Sequence, residues 1–162
     1  MTIQETQVPA AQGDVTRPTG VAQYLTPAVH DLIALAVNGK QAHWHVRGAN
    51  FIGVHEFLDT IIAHAQEGSD SLAERIVALG LPIDARLGTV AARASNPELT
   101  PGFQQWKPTI DEMVAQLDAT LATIYRAVEG LDDIDLVSQD LVIAIAEQLD
   151  KDRWFLVSHY AE

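Results

Sequence analysis

Four side chains on one stretch of the chain, His55, Asp59, Asp70 and Glu74, have the types and spacing to bind a metal ion. Read as a helix at ~100° per residue, with His55 at zero, the other three fall at roughly 40°, 60° and 100°. They form two i,i+4 pairs, so each pair meets at one point on a helical surface. Imidazole with carboxylate suits iron, manganese or zinc. Asp59 and Asp70 are eleven positions apart, however, or ~16 Å along a helix at ~1.5 Å per residue. One metal cannot bridge them on a straight helix. A two-fold axis removes the difficulty. If two copies cross antiparallel near His64 and Ala65, His55 and Asp59 of one chain face Asp70 and Glu74 of the other, giving two equivalent sites across an isologous interface. Ala63, small and on the same stripe, permits close approach there. The competing reading is a solvated polar face, and periodicity alone leaves the two about level.

These residues require a long, straight helix to carry them. Phe51, Val54, Leu58, Ile61, Ile62, Ala65, Leu72, Ile76 and Leu79 repeat at helical spacing beside the stripe. Asn50 is placed to cap the helix and Gly80 to end it. A preceding helix is expected from Thr26-Pro27 to about His45, with Val29, Leu32, Leu35 and Ala36 on its apolar side. Leu81 to Gly102 reads as a long crossover, rich in Pro and Gly, with a short helix near Thr89 to Ala94. A third long helix is expected from about Pro108 to Val128, ended by Gly130, and a fourth from about Ile134 to His159. In the third, Ile110, Met113, Val114, Leu117, Leu121 and Ile124 point inward. No strand-like alternation and no internal repeat are visible. Two short links and one long crossover describe an all-α, ferritin-like four-helix bundle. Residues 1–20 read as a flexible tail, and 21–162 as a single domain.

Composition narrows the chemistry. Among 162 residues there is no cysteine, which excludes disulfides, thiol catalysis and zinc–thiolate or iron–sulfur centres. The net charge of -12 opposes binding to nucleic acid and suits metal cations. No secretory signal is visible, and the longest apolar run, Leu141 to Ala146, is too short to span a membrane. The expectation is a cytoplasmic protein.

The stretch Lys40-Gln41-Ala42-His43-Trp44-His45-Val46-Arg47-Gly48-Ala49-Asn50-Phe51-Ile52-Gly53-Val54-His55-Glu56-Phe57-Leu58-Asp59 resembles the signature of the Dps mini-ferritins. So does Asp70-Ser71-Leu72-Ala73-Glu74-Arg75 with Leu79-Gly80, and more weakly Leu149-Asp150-Lys151 and Trp154-Phe155. The resemblance implies ferroxidase ligands His43, His55 and Asp59 from one chain, with Asp70 and Glu74 from its two-fold mate. It implies a dodecamer that oxidises Fe(II) with hydrogen peroxide, or more slowly oxygen, and stores ferric mineral inside. It also places Trp44 beside the site, where a core role is the alternative.

Other positions keep two readings each. Glu56 is an iron-nucleation carboxylate or a surface acid. Asp135 and Asp140 line a cation pore or, in the case of Asp135, simply favour a helix N-terminus together with Asp132 and Asp133. His45, where many relatives carry Asn, is an added ligand or an orienting group. His64, at roughly 180° from His55, points away from the metal; His30 and His159 have no recognisable partner. Two other functions compete with the ferroxidase: a metal-dependent hydrolase acting on amide bonds, since a metal held by His and carboxylate activates water, and a DNA-protecting Dps protein. DNA binding is not expected, because Arg17 is the only basic residue in the tail.

Overall fold

The structure, a computed structural model, describes residues 15–160. Helix α1 spans Thr16–His45 and α2 spans Phe51–Ala78. The crossover carries a short α3, Leu87–Arg93, and leads to α4, Trp106–Leu131, and α5, Leu136–Val157. A 3-10 turn, Ser158–Tyr160, closes the described chain. α1 packs chiefly on α2 and on α4, while α5 packs on α4 and α2, so the four long helices form a closed square. Each presents one apolar stripe to a shared core. Leu32, Leu58, Ile76, Met113, Leu117 and Ile124 are among the fully buried side chains, and the apolar positions read from the sequence of the second and third long helices are buried or half-buried.

The first helix begins ten residues before the expected Thr26, so Thr16 to Gly20 are helical and not part of a tail; the rest of the expected tail, residues 1–14, lies outside the described residues. Pro18 falls in the first turn, where its missing N–H deprives no hydrogen bond. Pro27 lies inside the helix on its exposed side. Val21 and Leu25 continue the apolar stripe and are completely buried, and that burial favours the extra turns over the breaker signals. Gly130 does not end α4, which continues through it to Leu131. A Cβ at this position would run into the Tyr24 ring, so this glycine serves helix packing and not termination. The expectation of no strand is corrected by one two-residue parallel bridge, Val46–Arg47 (β1) with Gln104–Gln105 (β2), which pins the end of the crossover beside the α1–α2 link. Deeper in the bundle the crossover is held by Asp31, whose buried carboxylate accepts hydrogen bonds from Ser95 N, Ser95 Oγ and Thr123 Oγ1 at 2.6–2.7 Å.

Candidate metal centre

The centre is built where α1 ends and α2 begins. His43 lies in the last turn of α1 and is buried; His55 lies in the second turn of α2 and is half-buried. Gly39 sets the spacing, since a Cβ there would sit 2.8 Å from Ile62 Cγ1 of α2. The close approach lets the two imidazoles stack, with centroids 3.6 Å apart and planes 23° apart. His43 donates Nδ1–H to the His55 carbonyl at 2.9 Å, and His55 donates Nδ1–H to the His43 carbonyl at 2.9 Å. A carbonyl only accepts, so both rings carry their proton on Nδ1 and keep the Nε2 lone pair for a metal. This fixing of tautomer and orientation by a backbone acceptor is the usual support for metal-binding histidines.

Asp59, one turn beyond His55, places Oδ1 3.3 Å from His43 Nδ1 and accepts a 2.5 Å hydrogen bond from Lys40 Nζ. The Lys40 bond, with help from the charges of His43, Lys40 and His55, holds this carboxyl below the ordinary range against the opposing effect of burial. Asp59 is therefore ionised, and half its side chain meets solvent. Lys40, Trp44, Asp59, Ile62 and Ala63 line a groove of ≈ 540 Å³ between α1 and α2. Trp44 is 59% exposed and not a core residue.

Asp70 and Glu74 are both exposed, farther along α2. Neither carboxylate has a hydrogen-bond or ion-pair partner among the described residues. Among those residues no group of three or more His, Asp or Glu side chains of the single chain converges on a metal position. The structure therefore shows two separate clusters on one subunit, His43, His55 and Asp59 by the groove and Asp70 and Glu74 ~16 Å along the helix.

The other sequence candidates are distributed differently. Glu56 is exposed on α2, and Asp140 is exposed on α5. Asp135 is not an open pore acid. Its side chain is 2% exposed and accepts hydrogen bonds from Arg17 at 2.5 Å, Arg75 at 2.6 Å and Ser138 at 2.5 Å. Burial pushes its carboxyl up, but the bonds from Ser138, Arg75 and Arg17 outweigh that and hold it well below the usual range. It clasps the start of α1 and the end of α2 to the head of α5. His45 donates Nδ1–H to the Gln41 carbonyl at 2.8 Å and lies by the Phe103 ring, at 5.6 Å. His30, for which the sequence offered no partner, bonds the Asp84 carbonyl at 2.8 Å. His159 lies 6.4 Å from the Phe57 ring. His64 faces α5, away from the centre, and bonds Asp152. Lys40 was missed as part of the site. Its signal was the i,i+3 spacing to His43, which puts both on one face of α1.

A closed square of four long helices, a crossover helix between the second and third, and histidines and carboxylates on the first pair describe a ferritin-like protein. The ferritin-like domain family matches residues 22–162. The DNA protection during starvation protein of Mycolicibacterium smegmatis is 32% identical over 157 residues, covering 88% of this chain and 78% of that protein. The protein of the same name from Agrobacterium fabrum is 32% identical over 142 residues, covering 85% and 86%. The structure of Dps from Microbacterium arborescens in the high iron form superimposes with a TM-score of 0.90 at 52% identity, covering 94% of this chain and 100% of that one. The chain belongs to the Dps family of ferritin-like proteins. It is a mini-ferritin of the iron-storage class, and none of its described helices is long and apolar enough to cross a membrane.

Proposed function

We propose that the protein is a ferroxidase that detoxifies and stores iron in the cytoplasm. The observation that carries this reading is the split of the ligand set. His43, His55 and Asp59 gather at one end of α2, and Asp70 and Glu74 wait, unpartnered within the chain, farther along it. Seating a second α2 antiparallel in the groove beside Ala63 brings the halves together twice, once on each side of a two-fold axis. Six such dimers make the hollow dodecamer expected for this family. The solved relative in its high iron form supports iron as the cargo.

The chemistry follows from the ligands. The two Nε2 donors and the ionised Asp59 bind Fe(II) on one side, and Asp70 and Glu74 of the mate neutralise its charge on the other. Hydrogen peroxide accepts one electron from each of two ferrous ions, its O–O bond breaks, and two protons complete two waters. Oxygen serves as the slower oxidant. Few protein ligands and an open, half-exposed setting let the ferric product leave, where a closed four-ligand cage would retain it. The mineral then grows inside on exposed acids such as Glu56, and Asp140 is the remaining candidate for an entry path. Removing Fe(II) and peroxide together suppresses hydroxyl radicals, so DNA can be protected without being bound. Stopped-flow oxidation under anaerobic conditions tests the reading. Two ferrous ions should be consumed per peroxide, with the rate abolished by Asp59→Ala, and a rate equal to that of buffer alone would overturn it. A hydrolase would instead cleave amide substrates with bound metal and no peroxide consumption.

A further inference from the structure

On the face of α2 opposite His55, α2 and α5 enclose a cleft of ≈ 300 Å³ lined by His64, Glu67, Ser71, Ala144, Ile145 and Gln148, among others. Its single imidazole is held from behind. His64 donates Nδ1–H to Asp152 Oδ2 at 2.8 Å, and Gln148 Nε2 donates to the other carboxylate oxygen at 3.1 Å. The Asp152 side chain is 2% exposed and has no Lys or Arg partner among the described residues. A buried carboxylate without a compensating cation is unfavourable. Of the side chains hydrogen-bonded to it, only the His64 ring can carry or hold a positive charge. No Lys or Arg lines the cleft, so nothing there repels a cation.

We propose that this cleft is a second divalent-metal site, with His64 Nε2 and the Glu67 carboxylate as its protein ligands. The two residues are three apart on α2 and so lie side by side on the helix surface. The Asp152–His64 pair is the carboxylate–imidazole arrangement that orients a metal-binding ring and raises its basicity. One nitrogen and one carboxylate oxygen suit Fe(II), Mn(II) or Zn(II). At ~30 Å³ per water the cleft has room for on the order of ten waters, so the ion enters with most of its hydration shell. Such a site exchanges readily. It offers one metal position, not a pair, and serves to hold an ion and not to oxidise it. His64, at roughly 180° from His55, points away from the proposed two-fold interface, while Glu67, at roughly 120°, lies at the edge of the stripe that holds Glu74.

Zinc(II), which is redox-inert, is the probe. The full-length assembly carrying His55→Gln, Asp59→Asn and Glu74→Gln should still hold one Zn(II) per chain in equilibrium dialysis. Adding His64→Gln should remove that ion, and adding Glu67→Gln instead should weaken it at least tenfold. Anomalous scattering from crystals soaked in zinc should peak beside His64 Nε2. Glu67 is exposed and lies outside the buried core, so its variant stays informative if His64→Gln fails to fold. No residual zinc in the His55/Asp59/Glu74 background overturns the proposal, and so does residual zinc unaffected by both cleft variants. The ferroxidase reading fails separately, when the His55/Asp59/Glu74 changes leave the wild-type zinc stoichiometry unaltered.

Discussion

Mixing two inactive variants should restore activity if the metal centre spans two chains. Asp59→Ala removes a ligand from the imidazole half and Glu74→Ala from the carboxylate half. The two positions are fifteen residues apart on one unbroken helix, ~22 Å at ~1.5 Å per residue, so within one chain they never serve one metal. In a heterodimer one site then carries both lesions and the other carries none. Random exchange at equal concentrations makes half of the dimers mixed, so about a quarter of all sites are intact, and the Fe(II) oxidation rate should recover to about a quarter of wild type. Neither change empties the core. Asp59 is half-exposed and Glu74 exposed, and losing the exposed Lys40 pair costs only about 0.2–1 kcal/mol. Chains bearing two different tags, unfolded together and refolded, give the mixture for stopped-flow measurement, and heterodimers purified from it should recover to about half of wild type. If verified heterodimers stay as inactive as the parents, the halves do not meet across the interface and the antiparallel pairing is wrong.

Three further outcomes follow. Lys40→Gln should tighten zinc binding at the centre by up to about fivefold, since it removes a competing exposed cation contributing up to about 1 kcal/mol; calorimetry showing weaker binding would contradict competition by Lys40. Asp135→Asn should lower stability at neutral pH by about 3 kcal/mol, because it leaves the half-buried Arg75 facing a neutral amide. The folded carboxyl is depressed, so its contribution is present above the unfolded value near ~4 and disappears as pH falls through the lower folded value. The gap between wild type and Asp135→Asn in thermal melts should therefore narrow below about pH 4, and a gap that widens there would refute the clasp. Finally, with a net charge of -12 on each chain, the assembly should leave plasmid DNA unshifted at ~0.2 M salt once chelator has removed bridging metal. Retardation under those conditions would show a DNA-binding surface.

What the sequence disclosed and what it hid divides along physical lines. The rise and twist of a helix are fixed, so the apolar stripe of α2 and the separation of Asp59 from Asp70 follow from residue order alone. Features set by distant partners do not. Pro18 and Gly20 look like breakers and Thr26-Pro27 like a helix start until Val21 and Leu25 are seen to be buried, and Gly130 looks like a stop until Tyr24 packs on it. Asp135 looks like a pore acid because its partners, Arg17 and Arg75, lie 118 and 60 residues away along the chain. His43 is implied by the family resemblance and not by periodicity, because it belongs to a different helix from the other four candidate ligands. Its stacking on His55 depends on the close packing at Gly39. The most informative feature was also the most local one. If His55, Asp59, Asp70 and Glu74 serve one metal, a rigid helix cannot bring them together by bending, and another molecule must complete the site. Assembly and metal chemistry are then a single requirement, and a monomer of this chain should be as inert toward Fe(II) as the Asp59→Ala variant.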